Sequence, residues 1–202
     1  MSTRKVIVAV HGSLPDAVPA IHDLIAYSMH RTHPDEPAVE PADVGGVIMA
    51  WIDGDAPLDP ASWFDHPVTA YLVDERVQID WARDWSDGAT TPAREQLSFV
   101  RRIPTITHDE FTAHWSDRHT RLVPIHHPGV ARYVQNVVIE DLTPKAPPID
   151  GVAQLYFRTA HDLHERFYDS DAGKQIVFED VARFIDRGPG WRMMAEEAWL
   201  TS

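Results

Sequence analysis

Three histidines fall within sixteen positions of the segment HDEFTAHWSDRHTRLV, residues 108 to 123, together with a tryptophan and a run of carboxylates. Imidazole is the one side chain that ordinarily changes charge near neutral pH, so this density suggests proton transfer or metal ligation. Thr107 and Glu110 have the spacing of a capping box, which starts a helix at residue 108 with Asp109 and Glu110 at its positive end. Along that helix Phe111, Trp115, His119 and Leu122 follow at steps of four, four and three. Those steps form one apolar stripe, and the stripe is predicted to face a sheet. His119 is thereby placed inward beside two aromatic rings. His114 shares a flank with Glu110 and Arg118, and both it and His108 are predicted to face solvent and to be dispensable. Two roles are open to His119: a core histidine satisfied by a carbonyl, or a general acid or base in an apolar cavity.

Metal chemistry fits the spacing poorly. His114 and His119 are five apart, about 140° around an α-helix, too divergent to share one ion. His161 and His164 are better spaced but lack an evident third ligand, and neighbouring His126 and His127 diverge in most backbones. No metal ligand is predicted. The chain has no cysteine, which excludes a thiol nucleophile, a thiolate metal site and a disulfide framework. There is no serine in a nucleophile elbow and no dinucleotide fingerprint, and GKQ at 173–175 lacks the rest of a phosphate loop.

The elements that must hold this helix come in two similar sets. The first opens with the β-rich run KVIVAVHG and continues into PDAVPAIHDLIAYSMHR, where Val18, Ile21, Leu24, Ile25 and Met29 recur at helical spacing. The second opens with LSFVRRIPTIT and continues into the histidine helix. GGVIMAWID before ASWFDH matches DGVAQLYFR before ERFYDS, each a strand followed by a helix with an aromatic pair. VTAYLVDERVQI and RMMAEEAWL close the two sets as strands. Strand, helix, one or two strands, helix, strand, twice over, predicts an α+β fold. Its two tandem ferredoxin-like halves, residues 1–91 and 92–202, pack their sheets into a barrel-like core. RTHPDEPAVEPAD (31–43), SDGATTP (86–92) and TPKAPP (143–148) read as connections.

Composition limits the partners. With 31 acidic against 18 basic residues the formal net charge is −13, which disfavours nucleic acid and anionic membrane as partners. No apolar run is long enough for a membrane span. MSTRKVIVAVHG reads as a strand rather than a signal peptide, and a cytoplasmic location follows by default.

From about residue 97 to 200 the chain resembles the EthD family of the dimeric α+β barrel superfamily. The resemblance rests on FVRRIPTITHDEFTAHWSDRHTRLV, PGVARYVQN, IDGVAQLYFRT, FEDVARFIDR and AEEAWL. Phe111, Trp115, His119 and Leu122 match the family's helix motif, with Arg121 where proline is usual. Tyr133 and Asn136 fall on its R-Y-V-Q-N strand, and Asp150 and Gly151 on its D-G turn. Ala198 replaces the histidine that often ends the last strand, and in the first half Tyr27 falls near the place of His119.

The resemblance implies a pocket between sheet and helices. It also implies an enzyme of lyase, dehydratase, cyclase or isomerase type, working on a small apolar, aromatic or polyketide-like molecule without a cofactor. His119 would move the proton, Tyr133 would donate a hydrogen bond to a carbonyl or enolate, and Phe111, Trp115 and Asn136 would contact substrate. Strand alternation opposes Asn136 to Tyr133, so Tyr133 is the preferred pocket residue. The alternatives are a binding or accessory protein with the same pocket, and a monooxygenase-type or haem enzyme of the same superfamily. A homodimer is compatible with all three.

Overall fold

The computed structural model describes residues 3–18, 20–36, 43–144 and 146–201. Eight antiparallel strands close into one barrel: β1 (Arg4–His11), β2 (Leu24–Thr32), β3 (Val44–Ile52), β4 (Val68–Ile79), β5 (Arg94–Arg102), β6 (Val130–Asp141), β7 (Gly151–Phe157) and β8 (Ile185–Thr201). Around the barrel they run β1-β3-β2-β8-β5-β7-β6-β4. Closure leaves no free sheet edge, so every strand has a backbone partner on both sides. The four strands before residue 80 and the four after residue 93 each occupy consecutive places in the ring.

Side chains alternate between the lumen and the outer face, as the pleat requires. One end of the lumen is apolar, with Ile7, Met49, Tyr71, Leu97, Phe99 and Val152 in one cluster. The outer face of β5 to β8 is covered by helices: α1 (His108–His114), a wide turn of π-helix (Trp115–His119), α2 (Thr120–His126), α3 (Ala160–His164) and α4 (Asp171–Val181). No helix among the described residues is long and apolar enough to cross a membrane.

The outer face of β1 to β4 is covered differently from the sequence expectation. The predicted helix through Val18 to Met29 does not form; Leu24–Thr32 is strand β2, hydrogen-bonded to β3 and β8. Pro15 and Pro19 each remove an amide donor from that candidate helix. Asp23, at φ 59°, then turns the chain directly into the strand. Ala26, Ser28, Met29 and His30 are all buried along β2, Met29 against the outer cluster and His30 against Glu95. The expected ASWFDH helix shrinks to the 3₁₀ turn Pro60–Trp63. Leu14, Val18, Ile21, Leu58 and Phe64 from loops, with Trp63 from that short turn, cover this face instead. In the second half Phe167 and Tyr168 lie between α3 and α4 rather than within a helix. Of the predicted connection at 31–43, Arg31 and Thr32 belong to β2, and 37–42 lie outside the described residues.

Candidate functional site

The capping box forms as the sequence requires: the Thr107 hydroxyl accepts from the Glu110 amide, and the Glu110 carboxylate accepts from the Thr107 amide at 2.8 Å. Phe111, Trp115 and His119 are buried on one stripe, but the next buried residue is Val123, with Leu122 only half-buried. The π turn explains this shift. The Thr120 amide donates to the Trp115 carbonyl, an i to i+5 bond. Residues four apart on a regular α-helix drift by about 40° per step. The wider turn absorbs that drift and extends the stripe through Val123 to His127, which is also buried. Two side chains hold the widened turn, since Thr120 Oγ1 donates to the Trp115 carbonyl and Gln135 Nε2 donates to the same oxygen, each at 3.0 Å. Such insertions concentrate at functional sites.

Under this stripe, between the helices and the outer face of the sheet, lies a cavity of about 350 Å³. His119, His127, Trp115, Tyr133 and Tyr168 line it, with Leu155, Val177 and Phe178 among its apolar walls. His119, Trp115 and Tyr133 are thus brought together. Phe111 packs behind the Trp115 ring at 5.3 Å and against Phe184, and does not line the cavity. Asn136 does not line it either: its side chain faces the barrel lumen and donates to the Val152 carbonyl and to Gln154, each at 3.0 Å. The opposition of Tyr133 and Asn136 across β6 is the ordinary pleat, so neither a shared pocket nor a shared substrate contact is formed.

His119 has a fixed orientation. Its Nδ1 lies 2.9 Å from Oδ2 of Asp180 on α4, and His114 Nε2 lies 2.9 Å from Oδ1 of the same carboxylate. Burial pushes the Asp180 carboxyl up, but hydrogen bonds from His119 and His114 outweigh it and hold the group below its usual range. An ionised carboxylate only accepts, so both imidazoles donate to it, and Nδ1 is thereby committed while Nε2 is the His119 nitrogen left for the cavity.

His114 is therefore not a solvent-facing bystander. The predicted divergence of residues 114 and 119 assumed α-helical pitch, and the π turn between them removes it. His108 is also engaged, with Nδ1 3.0 Å from Asp150, although it is 40% exposed. Among the described residues no cluster of three or more histidines and carboxylates could hold a metal ion.

Tyr133 is poised as a donor. Its hydroxyl oxygen accepts from Trp115 Nε1 at 2.7 Å and from Gln135 Nε2 at 3.0 Å. With its oxygen so occupied, the phenol has only its hydrogen to offer. Burial pushes the Tyr133 phenol well above its ordinary value, so that hydrogen stays in place at neutral pH. The Trp115 ring is seated by Gly151: a Cβ there would lie 2.3 Å from Trp115 Cζ3. His127, the residue that sequence reasoning passed over, donates from Nδ1 to the Phe167 carbonyl at 2.6 Å. Burial, only partly offset by that bond, lowers its pKa and favours the neutral ring. It offers the cavity a second imidazole nitrogen able to accept.

A larger and more open groove, about 780 Å³, passes Arg76, Arg102, His108 and Asp150. Several of its charges are paired with one another, Arg76 with Asp74 and both Arg102 and His108 with Asp150. The cavity at His119, where imidazoles and a phenol meet apolar walls, is the better site for chemistry.

Comparison with known proteins agrees on the fold. An anthrone oxidase-like protein of known structure is similar over 98% of this chain and 93% of its own, with a TM-score of 0.64 at 7% identity. A protein from Lactobacillus acidophilus, provisionally named a monooxygenase, is similar over 100% and 97% with a TM-score of 0.56 at 9% identity. A Fusobacterium nucleatum protein, also provisionally named a monooxygenase, matches over 98% and 93% with a TM-score of 0.56 at 7% identity. No curated protein matches the sequence. The family-model match runs from residue 103 to 188, taking in α1, the π turn, Tyr133, Gly151 and Asp180; this part of the chain is an EthD domain.

Proposed function

We propose that the cavity beneath the histidine helix is an active site for proton transfer on a small, largely apolar molecule, aromatic or polyketide-like in character. One observation carries the reading: a carboxylate-oriented His119 and a Tyr133 whose hydroxyl oxygen is already occupied line the same cavity. His119 Nε2 takes a proton from carbon or oxygen of the substrate, and Asp180 stabilises the imidazolium that results. Tyr133 donates to the oxygen on which negative charge develops. The ring of Trp115 and the aliphatic walls select a flat apolar body. Elimination, cyclisation or isomerisation can each follow from that one deprotonation, and none of them needs a cofactor. In this reading residues 1–91 are a ferredoxin-like half that has lost its helices, and 92–202 the half that kept them with the site.

A second reading is favoured by the names of the similar structures, an anthrone oxidase-like protein and two provisional monooxygenases. The same deprotonation gives an electron-rich enolate or phenolate, the species that dioxygen attacks. A panel of cyclic ketones and phenols, followed for product and for oxygen consumption, separates the two readings. His119→Ala should lower turnover by about 10²–10⁴-fold with the fold intact. Full activity per folded molecule in a destabilised His119→Ala protein would reduce His119 to a packing residue and end the catalytic reading.

A further inference from the structure

The lumen of the barrel is not uniformly apolar. Toward one end it carries a buried polar network that the helix-side cavity does not use. Lys5 is paired with Glu75 at 2.6 Å, and His30 with Glu95 at 2.5 Å. Gln154 donates to Glu95 at 2.9 Å and to the Tyr156 hydroxyl at 2.8 Å, and Tyr156 donates to Glu197 at 3.0 Å. This network ends at a cavity of about 300 Å³ in the barrel mouth, lined by Trp81, Trp85, Trp199, Tyr156, Arg132 and Glu197. Small-molecule sites begin at about this size and combine aromatic walls with a few convergent polar groups.

One donor in this mouth has no acceptor among the described residues, and a second is only loosely held. Trp85 Nε1 is buried and unbonded. The Arg132 guanidinium sits 5.2 Å over the Tyr156 ring and makes one long ion pair, Nε to Asp80 Oδ1 at 3.7 Å. A buried donor left unbonded costs about 1–3 kcal/mol, so a fold retains it where something else accepts. Opposite these donors is Glu197, which accepts from Thr91 and Tyr156 but still has acceptor capacity on each oxygen.

We propose that the barrel mouth is a second ligand site, separate from the His119 cavity, that takes a neutral flat aromatic hydroxyketone. The ring lies among Trp81, Trp85 and Trp199. The carbonyl accepts from Arg132 and Trp85, and the hydroxyl donates to Glu197. Charge decides for a neutral ligand. Lys5 and Glu75 are matched, as are His30 and Glu95, and the charged groups of the lining balance as Arg83 and Arg132 against Asp80 and Glu197. An anion would sit against Glu197 and a cation against Arg132, whereas a molecule with an acceptor at one end and a donor at the other satisfies both.

The test titrates the whole protein with 6-hydroxy-2-acetylnaphthalene, 2-naphthoate and 2-ethylnaphthalene, by calorimetry and by the indole N–H signals of ¹⁵N-labelled protein. The hydroxyketone should bind and shift the Trp85 signal, identified by its loss in Trp85→Phe. Trp85→Phe and Arg132→Gln should each weaken binding by about fivefold to tenfold, the scale of one hydrogen bond. The other two probes should bind at least tenfold more weakly, by about 1.4 kcal/mol. His119→Ala should leave this binding unchanged. Trp85 lies in the connection between β4 and β5, so its variant stays informative if Arg132→Gln fails to fold. Three results would each overturn the proposal: no saturation at millimolar probe, binding unaltered in Trp85→Phe, or 2-naphthoate binding as tightly as the hydroxyketone.

Discussion

His114 and His119 grip the two oxygens of a single carboxylate, Oδ1 and Oδ2 of Asp180, each at 2.9 Å. The π turn makes this possible by placing residues five apart on one face. It also joins the histidine helix to α4, so the orientation of His119 depends on a residue 61 positions away.

Asp180→Asn should therefore act on both catalysis and packing. An amide can accept from one imidazole but presents an N–H₂ to the other, so one of the two histidines loses its partner. The expected outcome is a fall in turnover of about 10²-fold, a general-base effect, with a lower melting temperature. Turnover equal to wild type would show that His119 needs no carboxylate.

His114→Ala and His108→Ala should differ, although both were expected to be silent on the helical count. The His114 side chain is 12% exposed, stacks on Phe184 at 4.6 Å and donates to Asp180. Its loss should cost about 1–3 kcal/mol, the range for broken buried interactions. His108 shares Asp150 with Arg102, which bonds it through both backbone amide and guanidinium, so His108→Ala should stay near 0.5 kcal/mol. Denaturant titration of the two variants gives the comparison directly.

Gly151→Ala probes the cavity wall without touching a polar group. The added methyl would meet Trp115 Cζ3 at 2.3 Å and Cη2 at 2.8 Å, and the indole cannot swing freely because Nε1 is bonded to Tyr133. Overpacking of this kind costs about 1–3 kcal/mol. Displacing Trp115 should also disturb the Tyr133 hydroxyl, so turnover should fall along with stability. An unchanged melting temperature and unchanged turnover would mean that the ring has room the geometry denies it.

Local signals carried most of what was legible in advance. Thr107 and Glu110 announced the helix start, and Phe111, Trp115 and His119 announced its buried stripe, because capping and amphipathicity are set by neighbours in sequence. Strands β1, β3, β4 and β5 were readable from β-branched runs. Strand β2 was not: Leu24, Ile25 and Met29 also fit a helix, and only pairing with β3 and β8 decides between them. The π turn had no sequence mark, and with it went the true exposure of His114 and the burial of His127. Asp180 could not be connected to His119 by spacing, since tertiary packing alone brings α4 over the turn. The lumen was not legible for another reason: inward Lys5, His30, Glu95 and Gln154 are polar, and only barrel closure buries them.

The buried pair in that lumen should give the protein a recognisable pH signature. His30 Nδ1 and Glu95 Oε2 lie 2.5 Å apart with both side chains almost fully enclosed. Burial lowers the His30 pKa, but the Glu95 charge and hydrogen bond more than reverse this and leave it above its ordinary 6.5. Burial raises Glu95, but the His30 charge and hydrogen bond and the bond from Gln154 leave it below its ordinary 4.5. The histidine's contribution to stability is therefore complete below about 6.5 and is lost as pH rises through its raised folded value. The glutamate's contribution is present above about 4.5 and is lost as pH falls through its lowered folded value. Both are in force together between those limits. His30→Leu strands a buried carboxylate and should cost about 3–5 kcal/mol near pH 6. Replacing both residues, His30→Leu with Glu95→Gln, should recover part of that loss and remove the pair's share of the alkaline decline. Unfolding free energies of the three proteins from pH 4 to 9 test this. An alkaline limb of equal slope in wild type and double variant would show that the pair is not charged in the folded barrel.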